Sequence, residues 1–243
     1  DSSLITAMAQ SISVEPVKTF SIGFNEEGYN EAVYAKKVSD YLGTKHTEMY
    51  IDETDMLAMV SDLPMYYDEP FADSSQIATM LVSKLARQDV TVALSGDGGD
   101  EFFCGYNVYP NVAQAQKLDG LGGLTYHASN LPGLKQLDVL GKLPFKVQMV
   151  ARNRNPLAKT QISSFNYTDA IKECLISCKD NFKFEIEDKY DEKNWQIRRM
   201  LVDMDTYLPG DILCKVDRAS MKYSLESRCP ILDTDVISNS AGV

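Results

Sequence analysis

The first hundred residues alternate between helical and extended patterns of hydrophobic positions. Apolar residues three and four apart predict amphipathic helices over 2–11, 31–42, 54–67 and 75–87. Short runs rich in β-branched and aromatic residues separate them and predict strands over 17–24, 45–51 and 90–94. Strands that alternate with helices are typical of an α/β fold, so we predict a doubly wound parallel sheet.

The pattern changes after about residue 106. Strand signals fade, and helical segments separated by Gly and Pro take over, with the strongest helical period over 195–225. We therefore expect an α/β core over 1–106 and a mostly helical part over 107–243 that packs on it. In an open parallel sheet, ligands bind beyond the carboxyl ends of the strands, so the loops after Phe24 and Leu94 are the first places to look.

Composition narrows the function classes. The chain of 243 residues has a net charge of −11, which argues against nucleic-acid binding, because that needs clustered Lys and Arg. No run approaches the roughly 18 apolar residues of a membrane span, so no membrane association is expected. Five irregularly spaced cysteines and only two histidines disfavour a zinc site and suit reduced thiols in the cytoplasm.

The sharpest chemical signal follows the strand that ends at Leu94. Residues 94–101 read LSGDGGDE, in which three glycines permit tight turns and close backbone approach to a ligand. Three carboxylates so close together repel one another unless a cation joins them. Two interpretations stay open: a magnesium ion bound to phosphates, or a solvated acidic turn.

Two further segments carry weaker signals. Asp1 and Ser2 stand at the start of an amphipathic helix, either as a simple N-cap or as a phosphate site at the helix N-terminus. Residues 215–221 (KVDRASM) and 226–233 (ESRCPILD) interleave charged and apolar positions. Their cations could form a wall for pyrophosphate, or ion pairs that hold a helix to the core.

In this order and spacing, the segments resemble the synthetase domain of glutamine-dependent asparagine synthetases, which are ATP pyrophosphatases with an SGGxDS loop. Asp1-Ser2 matches the end of that loop, and 95–101 matches the family's second loop, SG(E/D)G(S/G)DE. Residues 215–233 match KxDRxSMxxSxExRxPxLD, and 68–75 resemble the DEPFADSS stretch of a bacterial subgroup. The resemblance covers about residues 1–110 and 195–235.

The resemblance implies an adenylating amide synthesis in which ATP and Mg²⁺ are the cofactors. Aspartate would attack ATP to give β-aspartyl-AMP and pyrophosphate. Ammonia, supplied from glutamine by a glutaminase domain outside this chain, would then displace AMP to give asparagine. The resemblance also suggests a homodimer.

The resemblance assigns roles on the nucleotide side. Asp1 and Asp100 would bind Mg²⁺ together with the ATP phosphates. Asp1 and Ser2 would also bind ATP directly, as would Ser95 and Gly96. The backbone of Ile22 would hydrogen bond to adenine.

The remaining roles concern catalysis and the acid substrate. Asp97 would take a proton from the attacking ammonia. Asp73, Ser74 and Ser75 would bind the acid. Three cations are candidates for the phosphate side, with ion pairs to carboxylates such as Asp217 and Glu226 as the alternative: Lys215, Arg218 and Arg228.

The sequence also departs from the family pattern. The Ser-Gly-Gly and the strand expected before Asp1 are missing, as is a lysine in a KxGF-like segment after Asp233. We expect the natural protein to contain that strand in the middle of its sheet, because its loss would leave two buried strand edges unpaired. Two alternatives remain: an amide or lactam synthetase for another acid, and a non-catalytic nucleotide-binding remnant.

Overall fold

A computed structural model describes residues 1–24, 30–114, 116–117 and 192–240 of the chain. Internal contacts divide it into two units, one of residues 1–100 with 207–243 and one of residues 101–206. The predicted boundary after residue 106 stays a prediction, and the 215–233 segment belongs to the first of these units. Most of the helical part predicted between 107 and 194 lies outside the described residues.

Helices account for most of the described elements. Those with both ends among the described residues are α1 (Ser2–Ile12), α2 (Ala32–Leu42), α3 (Glu53–Val60), α4 (Ser75–Arg87), α5 (Gly99–Phe103), α6 (Trp195–Asp205), α7 (Leu213–Met221) and α8 (Thr234–Ser240). Residues 108–114 are also helical. Strands are β1 (Lys18–Phe24), β2 (Lys45–Ile51), β3 (Val92–Leu94) and β4 (Glu226–Arg228). Shorter turns are 3-10 helices at Leu63–Met65 and Pro230–Leu232, and a π-helical turn at Leu208–Ile212.

The first strand, helix and strand form a parallel βαβ unit. β1 and β2 pair in register from Lys18 opposite Lys45 to Phe24 opposite Ile51. Between them α2 ends at Gly43, whose φ of 70° is the left-handed conformation that glycine adopts without strain. This unit confirms the α/β class with parallel strands.

The single doubly wound sheet is not formed by the described strands. β1 pairs with β2, and β3 pairs in parallel with β4, so two separate two-stranded sheets result. β1 and β3 instead both line a cavity of about 570 Å³, together with α1. β4 itself was not predicted, because three residues are too few to show a strand period.

Two predicted helices are shorter than their hydrophobic periods suggested. The helix predicted over 54–67 ends at Val60, and Pro64 then lies in a separate 3-10 turn. The helix predicted over 195–225 ends at Asp205, and Pro209 lies in the π-helical turn that precedes α7. Proline lacks the backbone N–H that continues a helix, so both interruptions follow from the sequence.

The core of the first unit lies along α4. Ile77 and Leu81 pack with Ile51 of β2, while Met80 packs with Tyr67 and with Ala219 of α7. The helix at the start of the chain behaves differently. α1 forms as predicted, but it has no buried residue, and three of its apolar side chains are largely exposed: Leu4, Met8 and Ile12.

No helix in the described part of the chain is long and apolar enough to cross a membrane.

Met80 tests the packing of α4. Its side chain is fully buried, so Met80→Ala should lower the free energy of unfolding by about 2–5 kcal/mol through lost burial and a cavity. Met65→Ala is the matched control, because that side chain is 77% exposed, and it should change the value by at most about 0.5 kcal/mol. Urea unfolding of both variants measures the difference. Equal losses would mean that Met80 is not a core residue.

Candidate active site

The loop after β3 is held in place by the end of β4 and the segment that follows it. The backbone N–H of Ser95 donates to the carbonyl of Arg228 at 2.9 Å, and the Ser95 hydroxyl lies 3.2 Å from the Cys229 sulfur. Gly98 has a φ of 91°, and a Cβ atom there would overlap the side chain of Leu232. The 94–101 loop and the 226–233 segment are far apart in sequence, yet they are in direct contact.

The first two residues of the chain lie directly against this loop. A Cβ atom on Gly96 would come within 2.7 Å of the Ser2 nitrogen and 3.0 Å of the Asp1 Cβ. A Cβ atom on Gly99 would overlap the Asp1 carboxylate. Only glycine allows this approach, which explains why the loop needs both residues.

Asp1 occupies the N-cap position of α1, yet its side chain makes no capping hydrogen bond. The simple-cap interpretation of Asp1 is therefore wrong for the side chain. Its carboxylate lies at the glycine loop instead. α1 is 11 residues long, and the N–H groups of its first turn have no carbonyl partner within the helix, so its N-terminus carries the partial positive charge that attracts anions.

The three carboxylates of the loop have different environments. Glu101 is only 1% exposed and accepts a hydrogen bond from the Tyr106 hydroxyl at 2.8 Å. It therefore has a structural role. Asp97 and Asp100 are both partly exposed.

The carboxylates at the glycine loop are compatible with a magnesium ion that also binds phosphate. Among the described residues, no three His, Cys, Asp or Glu side chains come together to hold a metal ion. Mg²⁺ needs only one or two carboxylates when phosphate oxygens and water complete its shell. The Asp1 carboxylate, which lies at Gly99, meets the requirement for one carboxylate, and Asp100 follows Gly99 directly in the chain.

Lys215 lines the 570 Å³ cavity together with Ser2, Ser95 and Asp97. Its ammonium donates to Asp73 Oδ2 at 2.7 Å and to the Ser75 hydroxyl at 2.8 Å. It is buried, so the ion pair is shielded from water. Lys215 is thus both ion-paired and close to the predicted nucleotide residues.

The two arginines are less central. Arg218 donates to the exposed carboxylate of Asp68. The Arg228 guanidinium donates to Glu226 at 2.8 Å, and both side chains are more than half exposed. The ion-pair alternative describes these side chains, and their predicted phosphate roles stay predictions.

The predicted acid-binding residues stand at the start of α4. Asp73 Oδ1 accepts hydrogen bonds from the backbone N–H and the hydroxyl of Ser75, at 2.8 and 2.7 Å. Burial opposes ionisation of Asp73, but the hydrogen bonds from Lys215 and Ser75 outweigh it and lower its pKa. Ser74 is exposed and makes no capping hydrogen bond. Asp73 and Ser75 therefore hold Lys215, a relation that the sequence did not indicate.

A second cavity, of about 710 Å³, opens beside β1 and includes Ile22 in its lining. Ser21 also lines it, and its hydroxyl lies 3.1 Å from His46 Nε2, while His46 Nδ1 lies 2.9 Å from the Thr19 hydroxyl. Burial lowers the pKa of His46, so the ring is neutral at pH 7. Sequence reasoning missed His46 and Ser21, because their pairing depends on the register between β1 and β2.

Gly98 tests the loop geometry. Gly98→Ala must adopt a φ of 91° and also displace Leu232, whereas Gly43→Ala adopts a φ of 70° with no atom within 4 Å of its Cβ. We expect about 1–2 kcal/mol of destabilisation for Gly43→Ala from strain alone, and clearly more for Gly98→Ala. Chemical unfolding of both variants makes the comparison. Equal losses would show that Leu232 yields freely and does not support the loop.

Comparison with known proteins agrees with the resemblance. A family model described as asparagine synthase matches residues 1–243. The chain is 30% identical to glutamine-hydrolyzing asparagine synthetase 1 of Bacillus subtilis, over 96% of this chain and 37% of that protein. It is 35% identical to a Methanocaldococcus jannaschii protein provisionally named glutamine-hydrolyzing asparagine synthetase 2, over 90% of this chain and 43% of that protein.

A more distant relative is amidase chry2 of Gibberella zeae, which is 22% identical over 92% of this chain. The chain spans between 37 and 43% of the length of the two asparagine synthetase relatives. The family model covers every residue, and the glycine loop, Asp1 and the 215–233 segment lie in one unit. The chain therefore belongs to the asparagine synthase family.

Proposed function

We propose that this chain carries the synthetase step of ATP-dependent conversion of aspartate to asparagine. A β-carboxylate oxygen of aspartate attacks the α-phosphorus of ATP, the bond to pyrophosphate breaks, and β-aspartyl-AMP forms. Ammonia then attacks the activated acyl carbon, loses a proton and displaces AMP. A glutaminase domain of the same protein supplies the ammonia from glutamine.

The observation that carries this proposal is the contact between the start of α1 and the glycine loop. It brings the helix N-terminus, Asp1 and the Ser95–Asp100 loop to the same place. Free backbone N–H groups at a helix N-terminus favour phosphate, and a close glycine backbone leaves room for it. Adenylation is an in-line displacement, so positioning and neutralisation of charge dominate its catalysis.

Asp1 and Asp100 are the residues that would hold Mg²⁺. When bound, the ion offsets negative charge that develops on pyrophosphate. The contribution of the chain itself is to keep both carboxylates near the phosphates. Asp1 is free for this role because it does not cap α1.

The cavity beside β1 supports the adenosine end of the site. Its volume of about 710 Å³ lies within the usual range of roughly 300–1,000 Å³ for small-molecule sites. Ile22 would hydrogen bond to adenine through its backbone. Ser2 lines both cavities, so a nucleotide bound beside β1 would extend toward Ser95 and Gly96 of the loop.

The 570 Å³ cavity supports the later step. Asp97 would accept the proton that ammonia loses, and Lys215 would face the phosphate side from the same cavity. Asp73 and Ser75 would act by holding Lys215, with Ser74 at the edge of the acid site. A further strand between β1 and β3 would join the two described sheets into one doubly wound sheet. The homodimer and the cytoplasmic location also stay proposals.

A different acid substrate is the second candidate function. The chain is similar to a protein named amidase chry2, and this similarity favours a different acid. Relatives of this chain would then differ in the bond that they act on. ATP–pyrophosphate exchange in the full-length protein separates the candidates, since exchange should depend on the acid that is activated. Exchange with aspartate supports the first candidate, exchange only with other acids supports the second, and none with any acid favours a non-catalytic remnant.

Asp100 tests the magnesium role. Asp100→Asn should lower aspartate-dependent ATP–pyrophosphate exchange by about 100-fold or more while leaving the fold intact, because one of two charged ligands becomes neutral. Asp89→Asn is the control, since Asp89 only pairs with Lys18 on the surface at 3.5 Å. Near-normal exchange in Asp100→Asn would remove Asp100 from the metal site.

Asp97 tests the ammonia step. Asp97→Asn should slow asparagine formation by about 10²–10⁴-fold, because it cannot take up a proton, and should affect pyrophosphate exchange much less. Single-turnover assays that follow AMP formation and amide formation separately measure the two steps. Equal losses in both would contradict a role confined to the second step.

A further inference from the structure

A group of polar side chains surrounds Lys215, which lines the 570 Å³ cavity. Asp211 stands in the π-helical turn, four residues before Lys215, so the two share one helical face. π-Helical turns are rare and occur often at functional sites. Asp73 and Tyr67 reach the same group from the segment before α4.

Two carboxyl groups meet in this cluster. The carboxyl groups of Asp211 and Asp73 interact directly, and Asp211 Oδ1 is buried with no hydrogen-bond partner among the described residues. Two adjacent negative charges are costly in such a place, which favours one carboxyl group that keeps a proton. Lys215 supplies one positive charge, which balances only one of the two. Ser75 donates twice to Asp73 and favours its ionised form.

The environment decides where the proton resides. Burial, followed by the charge of Asp73, raises the pKa of Asp211 to about 6, and Lys215 opposes this only in part. Hydrogen bonds lower the pKa of Asp73. The proton therefore resides on Asp211, and the pair as a whole releases it near neutral pH.

Two further polar atoms belong to this cluster. Asp211 Oδ1 and the Tyr67 hydroxyl are buried, and neither has a hydrogen-bond partner among the described residues. Tyr67 is only 9% exposed, and burial, together with nearby Cys214 and Asp73, raises its pKa to about 12. Tyr67 therefore stays protonated over the working range of pH.

We propose that Asp211 is a positioning residue, which shares one proton with Asp73 and thereby sets how much of the Lys215 charge faces the cavity. With the proton present, Lys215 balances one carboxylate and uses two of its three N–H groups on Asp73 and Ser75. The third has no partner in the described part of the chain and is available to an anion. Once the proton leaves, two carboxylates offset the same ammonium.

The other ionisable groups around Asp211 leave this balance unchanged. Asp73, Lys215 and Tyr67 act on it directly. Cys214 of α7 and Arg218 affect the pKa of Tyr67. Arg218 also forms an ion pair with Asp68 at the surface. Within this group, only the carboxyl pair changes charge between about pH 4 and pH 7.

The shared proton makes folding depend on pH. Because the folded pKa of Asp211 is about 6 and the ordinary value is 3.8, the folded chain keeps a proton that the unfolded chain has released. Its contribution to stability is complete below about pH 4 and disappears as pH rises to about 6. Asp211→Asn abolishes the titration but keeps the size and polarity of the side chain.

The first experiment compares unfolding equilibria of the full-length protein and its variants from pH 4 to pH 8. Relative to Asp211→Asn, the natural protein should lose stability by up to about tenfold in the unfolding constant per pH unit between pH 4 and 6, and no further above. Asp217→Asn, which removes an exposed carboxylate from the same helix, should run parallel to the natural protein. If the stability of Asp211→Asn changed with pH in the same way as that of the natural protein, the shared-proton hypothesis would be wrong.

A second variant keeps the test decisive if Asp211→Asn does not fold. Asp73→Asn removes the neighbouring charge and should move the window of lost stability to lower pH, toward the ordinary range of a carboxyl group. An unmoved window would equally overturn the proposal.

The second experiment measures what Lys215 offers to a ligand, and this part rests on the proposed function. Inorganic pyrophosphate is titrated calorimetrically into both proteins at pH 5.5 and 7.5, so that its own ionisation affects both alike. Asp211→Asn should bind it about threefold to tenfold more tightly at pH 7.5, with little difference at pH 5.5. Equal affinities at both values would overturn control of Lys215.

The two experiments separate the failures. A pH window of stability without any pyrophosphate binding would leave the shared proton in place and count against the proposed function. If both proteins bound pyrophosphate equally well and their stabilities showed the same pH dependence, the proposed role of Asp211 would be wrong. The proposed function would still stand.

Discussion

The close approach of the α1 N-terminus to the glycine loop is the constraint on which the rest of the site depends. Gly96 and Gly99 have no side chain, and any Cβ atom would collide with Ser2 or Asp1. Asp1 is consequently not used as a helix cap, and its carboxylate lies at the loop. The charge distribution of the site follows from this packing: a helix N-terminus for anions beside carboxylates for a cation.

Remote segments keep that geometry in place. β4 pairs with β3, and Leu232 covers Gly98, so the loop cannot move without the chain that follows α7. In the same unit, Met80 and Ala219 pack α4 against α7, and Lys215 joins them through Asp73. The 215–233 motif therefore has a structural role as well as its proposed chemical one.

The sequence was most informative where local pattern and local chemistry agree. α4 and β2 have the predicted bounds, because their hydrophobic periods run uninterrupted along the whole of each element. The two helices that were predicted too long each include a proline within the predicted range, Pro64 or Pro209. Proline predicts the end of a helix, but the hydrophobic period continues past it and favoured a longer helix. β4 gave no such signal, because it exists only through its pairing with β3.

The residues of the candidate site were also only partly predictable from the sequence. Asp1 and the glycine loop were recognisable because glycines and carboxylates at fixed spacing imply a ligand even without coordinates. The pairing of Lys215 with Asp73 and the proton near Asp211 were not, because 142 residues separate the first pair. Tertiary contacts of that kind leave no periodic trace in the chain.

Calorimetric titration of Mg-ATP into the full-length protein and its Gly96→Ala variant tests the central claim most directly. A methyl group at this position must push the Ser2 nitrogen, 2.7 Å away, from the loop, and so separate the two halves of the phosphate site. We expect the folded variant to bind Mg-ATP at least about tenfold more weakly, a loss of roughly 1.4 kcal/mol. Unchanged affinity in a folded variant would contradict a nucleotide site built on this contact.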